Sequence, residues 1–184
     1  TVLPAVPGFL ATVSFDGAEL VDVAYEPSEN HPRWDAYRTR AGDLRTLRSV
    51  VAAAARQGRL WLDDDGARSL ARTARVAGGI DPTLALHLAY VCADLQSVDD
   101  VRGLQDTLAG DLGVCWFDVA LLARTLVGRN VDRDAGVVPF VPLLAQGWAL
   151  LPAHRVRLHP RLASLQSTMR PSTWSLYDAR GVDL

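Results

Sequence analysis

The chain reads as mainly α: antiparallel helix pairs, arranged as a helical repeat or an orthogonal bundle, with a β-hairpin at the N-terminal end. Three observations predict this. The stretch DPTLALHLAYVCADL opens on Asp81-Pro82, a side chain that accepts from first-turn N–H groups followed by a residue with no N–H to leave unpaired. In it Leu84, Leu88, Val91 and Leu95 share one helix face, Ala85, Ala89 and Cys92 a second, and Leu86 and Tyr90 a third. A helix that is apolar on nearly every side is a buried one, so this stretch is expected at the centre of the core. The second observation is bulk. With 184 residues, 49% of them hydrophobic and 22% charged, the chain is ordinary globular material, long enough for a substantial core. The third is the alternation on either side of Asp16-Gly17, which predicts a hairpin.

The hairpin comes first. Phe9, Ala11 and Val13 alternate with Leu10, Thr12 and Ser14; beyond the turn Val21, Val23 and Tyr25 alternate with Leu20, Asp22 and Ala24. Two strands alone are marginal in water, so Phe9, Val13, Val21 and Tyr25 are expected to lie on the helices. Residues 1–29 form this hairpin and linker, and residues 30–184 the helical domain. Pro32 starts a short helix carrying Trp34, Tyr37 and Ala41, which Gly42-Asp43 should break. A longer helix then buries Leu44, Leu47, Val51 and Ala54 and stops at Gly58. Asp63 to Asp65 cap another, ended by Gly78-Gly79. After the central helix, Ser97 and Asp100 resemble a capping box for a helix expected to bury Val98, Val101, Leu104, Leu108 and Leu112. Asp118 caps a helix expected to run to Val127, and two short helices follow from about Pro142 and from His159-Pro160. The last stretch, residues 172–184, reads equally as strand or helix. Helix pairs starting near residues 43, 82 and 118 are spaced like helical repeats, although the tetratricopeptide signature is absent.

Charge alternates in blocks. Residues 1–32 carry −5, residues 33–75 +5, residues 76–120 −6 and residues 121–184 +4, which leaves a net −2. Neighbouring elements of opposite sign are expected to pair. All 19 basic residues are arginine. Without lysine the chain has neither a Schiff-base nucleophile nor a P-loop lysine. Arg38, Arg45, Arg48, Arg56 and Arg59 fall within about 80° of one another on a continuous helix, and Arg68, Arg72 and Arg75 share a face of the next. A planar guanidinium fork suits carboxylate and phosphate. Arg38, Arg45 and Arg48 are therefore the candidate partner-binding residues. An acidic protein surface, another domain of the same protein, or the acidic block of a second copy would complement them. Nucleic acid is the alternative along residues 33–75, and a pI near 6 argues against it.

The constellations that carry chemistry are thin. Cys115, at a loop-to-helix junction, is the candidate nucleophile of a cysteine-dependent hydrolase, with His31, His154 or His159 as its base. His87 and Cys92 stand five residues apart, about 140° around a helix, and do not face one another. No protease context surrounds either cysteine, and the plainer expectation is two small core hydrophobes. Cysteine and histidine spacings match no metal-ligand pattern, and Asp63-Asp64-Asp65 lacks the alternation of an EF-hand. No glycine-rich phosphate loop occurs. The expectation is thus no cofactor and no metal. Two cysteines without a targeting segment predict a reducing cytoplasm, and the longest apolar run, Val137 to Leu151, falls short of the ~20 residues that span a bilayer.

DPTLALHLAYVCADL, FDVALLARTL and LLAQGWALLP together resemble helical accessory regions of multidomain bacterial effector proteins, including ones that also carry caspase-like proteases. The resemblance spans about half of the chain and includes no catalytic motif. It implies a non-catalytic interaction or scaffold module. With Thr1 in place of an initiator Met, the chain is expected to be either a processed form or a piece of a longer protein.

Overall fold

The computed structural model describes residues 1–57, 69, 80–113, 115–131 and 136–181. Strands β1 (Phe9–Asp16) and β2 (Glu19–Pro27) form the hairpin. Helices α1 (Trp34–Gln57), α2 (Pro82–Asp94), α3 (Val98–Leu112), α4 (Phe117–Leu122), α5 (Ala145–Ala153) and α6 (Pro160–Ser164) follow. Two-residue strands tie the C-terminal part together. β3 (Asn130–Val131) runs parallel to β4 (Arg157–Leu158), and β5 (Met169–Arg170) antiparallel to β6 (Leu176–Tyr177). The fold is therefore mixed α and β rather than all-α. The expected helix over residues 63–79, the Gly58 stop and Ala54's burial lie outside what is described.

Every residue from Asp81 to Cys92 is buried, as the all-round apolar pattern of α2 requires. Asp81 caps it by accepting from the Leu84 N–H at 3.0 Å. α1, α3, α4 and β2 all pack on α2. In a solenoid each unit touches only its neighbours; here the elements gather round one helix, and no repeat unit is discernible among the described residues.

α1 departs from expectation. It runs unbroken through Gly42-Asp43 for 24 residues. A mid-helix glycine costs only about 1 kcal/mol relative to alanine. Tyr37, Leu44 and Val51, seven residues apart and all buried, carry one apolar stripe across it. Packing overrides the local break, and the start at residue 43 that suggested a repeat does not exist.

The hairpin departs in its turn. Asp16 pairs with Glu19, so Gly17-Ala18 make the connection, and only Gly17 takes a left-handed φ, 59°. A positive φ at the first central position alone is the type II′ pattern, whereas Asp-Gly at the two central positions would favour type I′. Ser14 then pairs with Asp22 but Phe15 with Leu20, which leaves Val21 as a bulge. A bulge moves side chains by one register step. Leu20 is thereby buried beside Val23 and Tyr25, and Val21, expected inside, is 49% exposed.

Among the described residues two apolar clusters share the interior. The larger joins the hairpin, α1, α2 and α3; the smaller joins Phe117, Leu121, Trp148, Leu151, Val156 and Tyr177. α4 lies between them, with Val119 and Leu122 in one and Phe117 and Leu121 in the other. Asp118 does not cap α4 as expected. Its side chain turns into the protein, and Trp116 holds the N-cap position without a side-chain bond.

Three helices stop by the same device. The Gln96 N–H donates to the Ala93 carbonyl and the Ser97 N–H to Cys92; Arg124 and Thr125 donate likewise to Leu121 and Ala120, and Arg155 and Val156 to Pro152 and Leu151. This pair of bonds is a Schellman motif, which places the C′ residue in the left-handed region, where glycine is usual. Here that residue is Gln96, Arg124 or Arg155, at φ 58°, 63° and 54°. A non-glycine residue there costs on the order of 1–3 kcal/mol. This ends α4 at Leu122, well short of the expected Val127. Past His159, α6 gives way at Leu165–Thr168 to a 3-10 turn, and the final stretch is strand β6 followed by a 3-10 turn at Ala179–Gly181.

Candidate functional site

The arginine stripe divides. Arg38 and Arg45 stand exposed, seven residues apart and so on one face of α1. Arg38 reaches Asp35 at 3.4 Å, an exposed pair of little energetic weight. The Arg45 Nε–H donates to the Ala41 carbonyl at 3.3 Å, and its guanidinium forms no ion pair with any described residue. Arg48, expected on the same surface, is 7% exposed. Three residues beyond Arg45 it points about 60° further round the axis, toward the core. There it donates to Asp81 at 2.8 Å and lies 3.8 Å from Asp22. Burial pushes the Asp81 carboxyl above its ordinary value, against Arg48 and the Leu84 N–H, which favour the ionised form. Arg48 is thus an internal pairing partner that joins α1 to α2 and the hairpin. Arg33 pairs similarly with Asp111 of α3 at 2.5 Å. The basic block 33–75 thus meets both acidic blocks, as expected, whereas among the described residues the basic block 121–184 forms no ion pair with either. Arg59, Arg68, Arg72, Arg75 and the side chain of Arg56 lie outside the described residues.

Cys115 is half-buried, and its Sγ accepts from Gln105 at 3.4 Å. Burial pushes the thiol up, opposite to the shift that activates a nucleophile. The structure brings none of the candidate histidines to it. His31 stacks edge-on against Phe9 with 4.8 Å between ring centroids, His159 accepts from the Arg161 N–H at the start of α6, and His154 caps α5. Cys92 is buried in α2. Among the described residues no group of three or more His, Cys, Asp or Glu is placed to hold a metal ion, and no helix is long and apolar enough to cross a membrane.

Asp118 was missed as anything but a cap. It is fully buried, and it accepts from the Tyr90 hydroxyl at 2.6 Å, the Leu143 N–H at 2.6 Å and the Leu144 N–H at 3.1 Å. One carboxylate thereby fastens α2 and α4 to the segment that leads into α5. Desolvation raises its pKa to about 6, with those donors holding it from going higher. A sequence signal exists: an Asp within an otherwise apolar FDVALL has to be buried with its helix. Beside it lies a half-open pocket of about 210 Å³ lined by Tyr90 and Asp94 of α2, Val98 of α3, residues of α4 and α5, and Arg124 and His154 just past the ends of α4 and α5. A second, of about 170 Å³, lies between Val21, Ser49, His87 and Trp174. No protein-family model, curated protein or solved structure matches the chain.

Proposed function

We propose that this is a non-catalytic interaction or scaffold module of a larger bacterial cytoplasmic protein, docking an acidic protein surface, or an acidic domain of the same protein, on the exposed face of α1. The observation that supports it is the division of the stripe. Arg48 is consumed by the fold, whereas Arg38 and Arg45 are left outward on a helix of 24 residues, about 36 Å long. The resemblance to effector accessory regions points the same way. A second copy docking through residues 81–118 is the poorer fit, because Asp81 and Asp118 are buried and Asp111 is already paired with Arg33. The cysteine-hydrolase reading would need a base that Cys115 does not have among the described residues.

The test is sedimentation of the protein with a glutamate-rich peptide at low and high salt. Exposed charges are screened over about 8–10 Å near physiological ionic strength, so association should weaken as salt rises. The double variant Arg38→Gln/Arg45→Gln should weaken it further while melting within about 0.5 kcal/mol of the parent. Arg48→Gln is the contrast: it strands Asp81 and should destabilise by about 3–5 kcal/mol. Binding that ignores both salt and the double substitution makes the stripe a solvated face only.

A further inference from the structure

The pocket of about 210 Å³ is built where α2, α4 and α5 end. Asp94 is the last residue of α2, Arg124 the left-handed residue that stops α4, and His154 the cap of α5. Leu122 and Leu150 supply apolar wall. Tyr90, whose hydroxyl is fixed on Asp118 at 2.6 Å, anchors the wall from within the core. Two opposite charges thus line one small pocket. They lie further apart than the 4.0 Å of an ion pair, and neither side chain has a hydrogen-bond or ion-pair partner among the described residues. Both residues are exposed, so each charge faces solvent as well as the pocket, unlike the buried pair of Arg48 and Asp81. Burial pushes the Asp94 carboxyl up with nothing to offset it, and burial beside Arg124 lowers His154, leaving its imidazole largely neutral at pH 7.

The pocket is smaller than the ~300–1,000 Å³ of sites for drug-sized molecules. A single charge on a part-exposed partner gains little. A ligand that carries both charges on a short apolar body gains from both walls and the floor together. We propose that this pocket binds a small aliphatic zwitterion of the amino-acid type, its carboxylate on the Arg124 guanidinium, its ammonium on the Asp94 carboxylate and its side chain against Leu122 and Leu150. The position of Arg124 accords with this. Glycine is the residue a Schellman stop favours, and the arginine held there instead is the one that meets the pocket. The proposal concerns a face other than the exposed side of α1 and stands apart from the docking role.

The experiment titrates the whole protein with L-leucine and follows its amide resonances. Isocaproate serves as a probe with the carboxylate alone, and isoamylamine as one with the ammonium alone. Leucine should shift amides of residues 93–98 and 122–125 and bind at least ~10-fold more tightly than either single-charge probe. Arg124→Gln should weaken leucine and isocaproate by ~10-fold and leave isoamylamine unchanged, and Asp94→Asn should do the reverse. Arg124→Gly separates binding from folding: it should melt no lower than the parent and still lose leucine. The proposal is overturned if leucine at tens of millimolar leaves those amides unmoved. It is equally overturned if the single-charge probes bind as well as leucine, or if neither charge substitution changes its affinity.

Discussion

Asp118 shows how much one side chain decides. Four donors surround it, counting its own backbone N–H, and they satisfy a carboxylate that burial would otherwise drive far from its ordinary range. Its folded pKa of about 6 stands above the ordinary 3.8, so the folded chain holds this proton more tightly than the unfolded chain does. The stability it contributes is therefore fully present below about 3.8 and is lost as pH rises through about 6, a change on the order of a few kcal/mol. Urea unfolding of the parent and of Asp118→Asn from pH 4 to pH 7 checks this. The advantage of the parent over the variant should shrink as pH rises, and only that slope matters, since the amide adds a constant offset against the Leu143 and Leu144 N–H groups. A difference that is flat across the range would mean that the carboxyl does not titrate there. Gly147 belongs to the same arrangement. A Cβ at that position would stand 2.6 Å from the Tyr90 hydroxyl and 2.8 Å from the Pro142 Cβ, so glycine is what lets α5 close over the carboxylate.

At the scale of elements the hairpin bulge makes the sharpest prediction. Leu20 is buried and its neighbour Val21 lies outside. Leu20→Asp should therefore destabilise by about 3 kcal/mol or more, since it places an unpaired charge in the core, while Val21→Asp should stay within about 0.5 kcal/mol of the parent. Thermal melts of the two variants decide the register; equal effects would put the bulge elsewhere. The alternation read from the sequence would have assigned these roles the other way round. That reading assumed an unbroken period of two, and nothing local in ELVDVAY marks the extra residue. The central helix was legible because its evidence is local: Asp81-Pro82 at the start and apolar residues on every side. The Gly42-Asp43 break failed for the opposite reason, a weak local signal overruled by a buried stripe that extends past it. Of the candidate site, the exposure of Arg38 and Arg45 could be read from spacing. The burial of Arg48 could not, because its partner Asp81 lies 33 residues away. The pocket between α2, α4 and α5 was invisible, since three left-handed stops at non-glycine residues carry no composition signal.

Across the whole molecule, α4 couples what would otherwise be two separate cores. Phe117 and Leu121 belong to one cluster, Val119 and Leu122 to the other, and a helix of six residues cannot hold its shape after losing either side. Unfolding should therefore be a single transition for the two clusters. The tryptophans give the measurement, because Trp116 and Trp174 are buried in the larger cluster and Trp148 in the smaller. Single-tryptophan variants that keep Trp116 or Trp148 should show coincident urea midpoints. Leu121→Ala should lower both by the same amount, about 2–5 kcal/mol in stability. Midpoints that separate would show that the two clusters unfold independently.

Tyr25 packs its ring 5.3 Å from that of Trp116, and Leu20 receives the Ser172 hydroxyl from 152 residues further along. A ribosome makes the hairpin before either of these partners. At about 5–20 residues per second, the interval between Tyr25 and Trp116 is on the order of 5–20 s. Until then the nascent strand pair has α1 and α2 to lie on but lacks the Trp116 ring that completes the cover over Tyr25. Leu10 and Phe15 remain 64% and 58% exposed even afterwards. The early hairpin thus presents apolar surface to other chains during synthesis, and faster synthesis of residues 26–116 shortens that exposure.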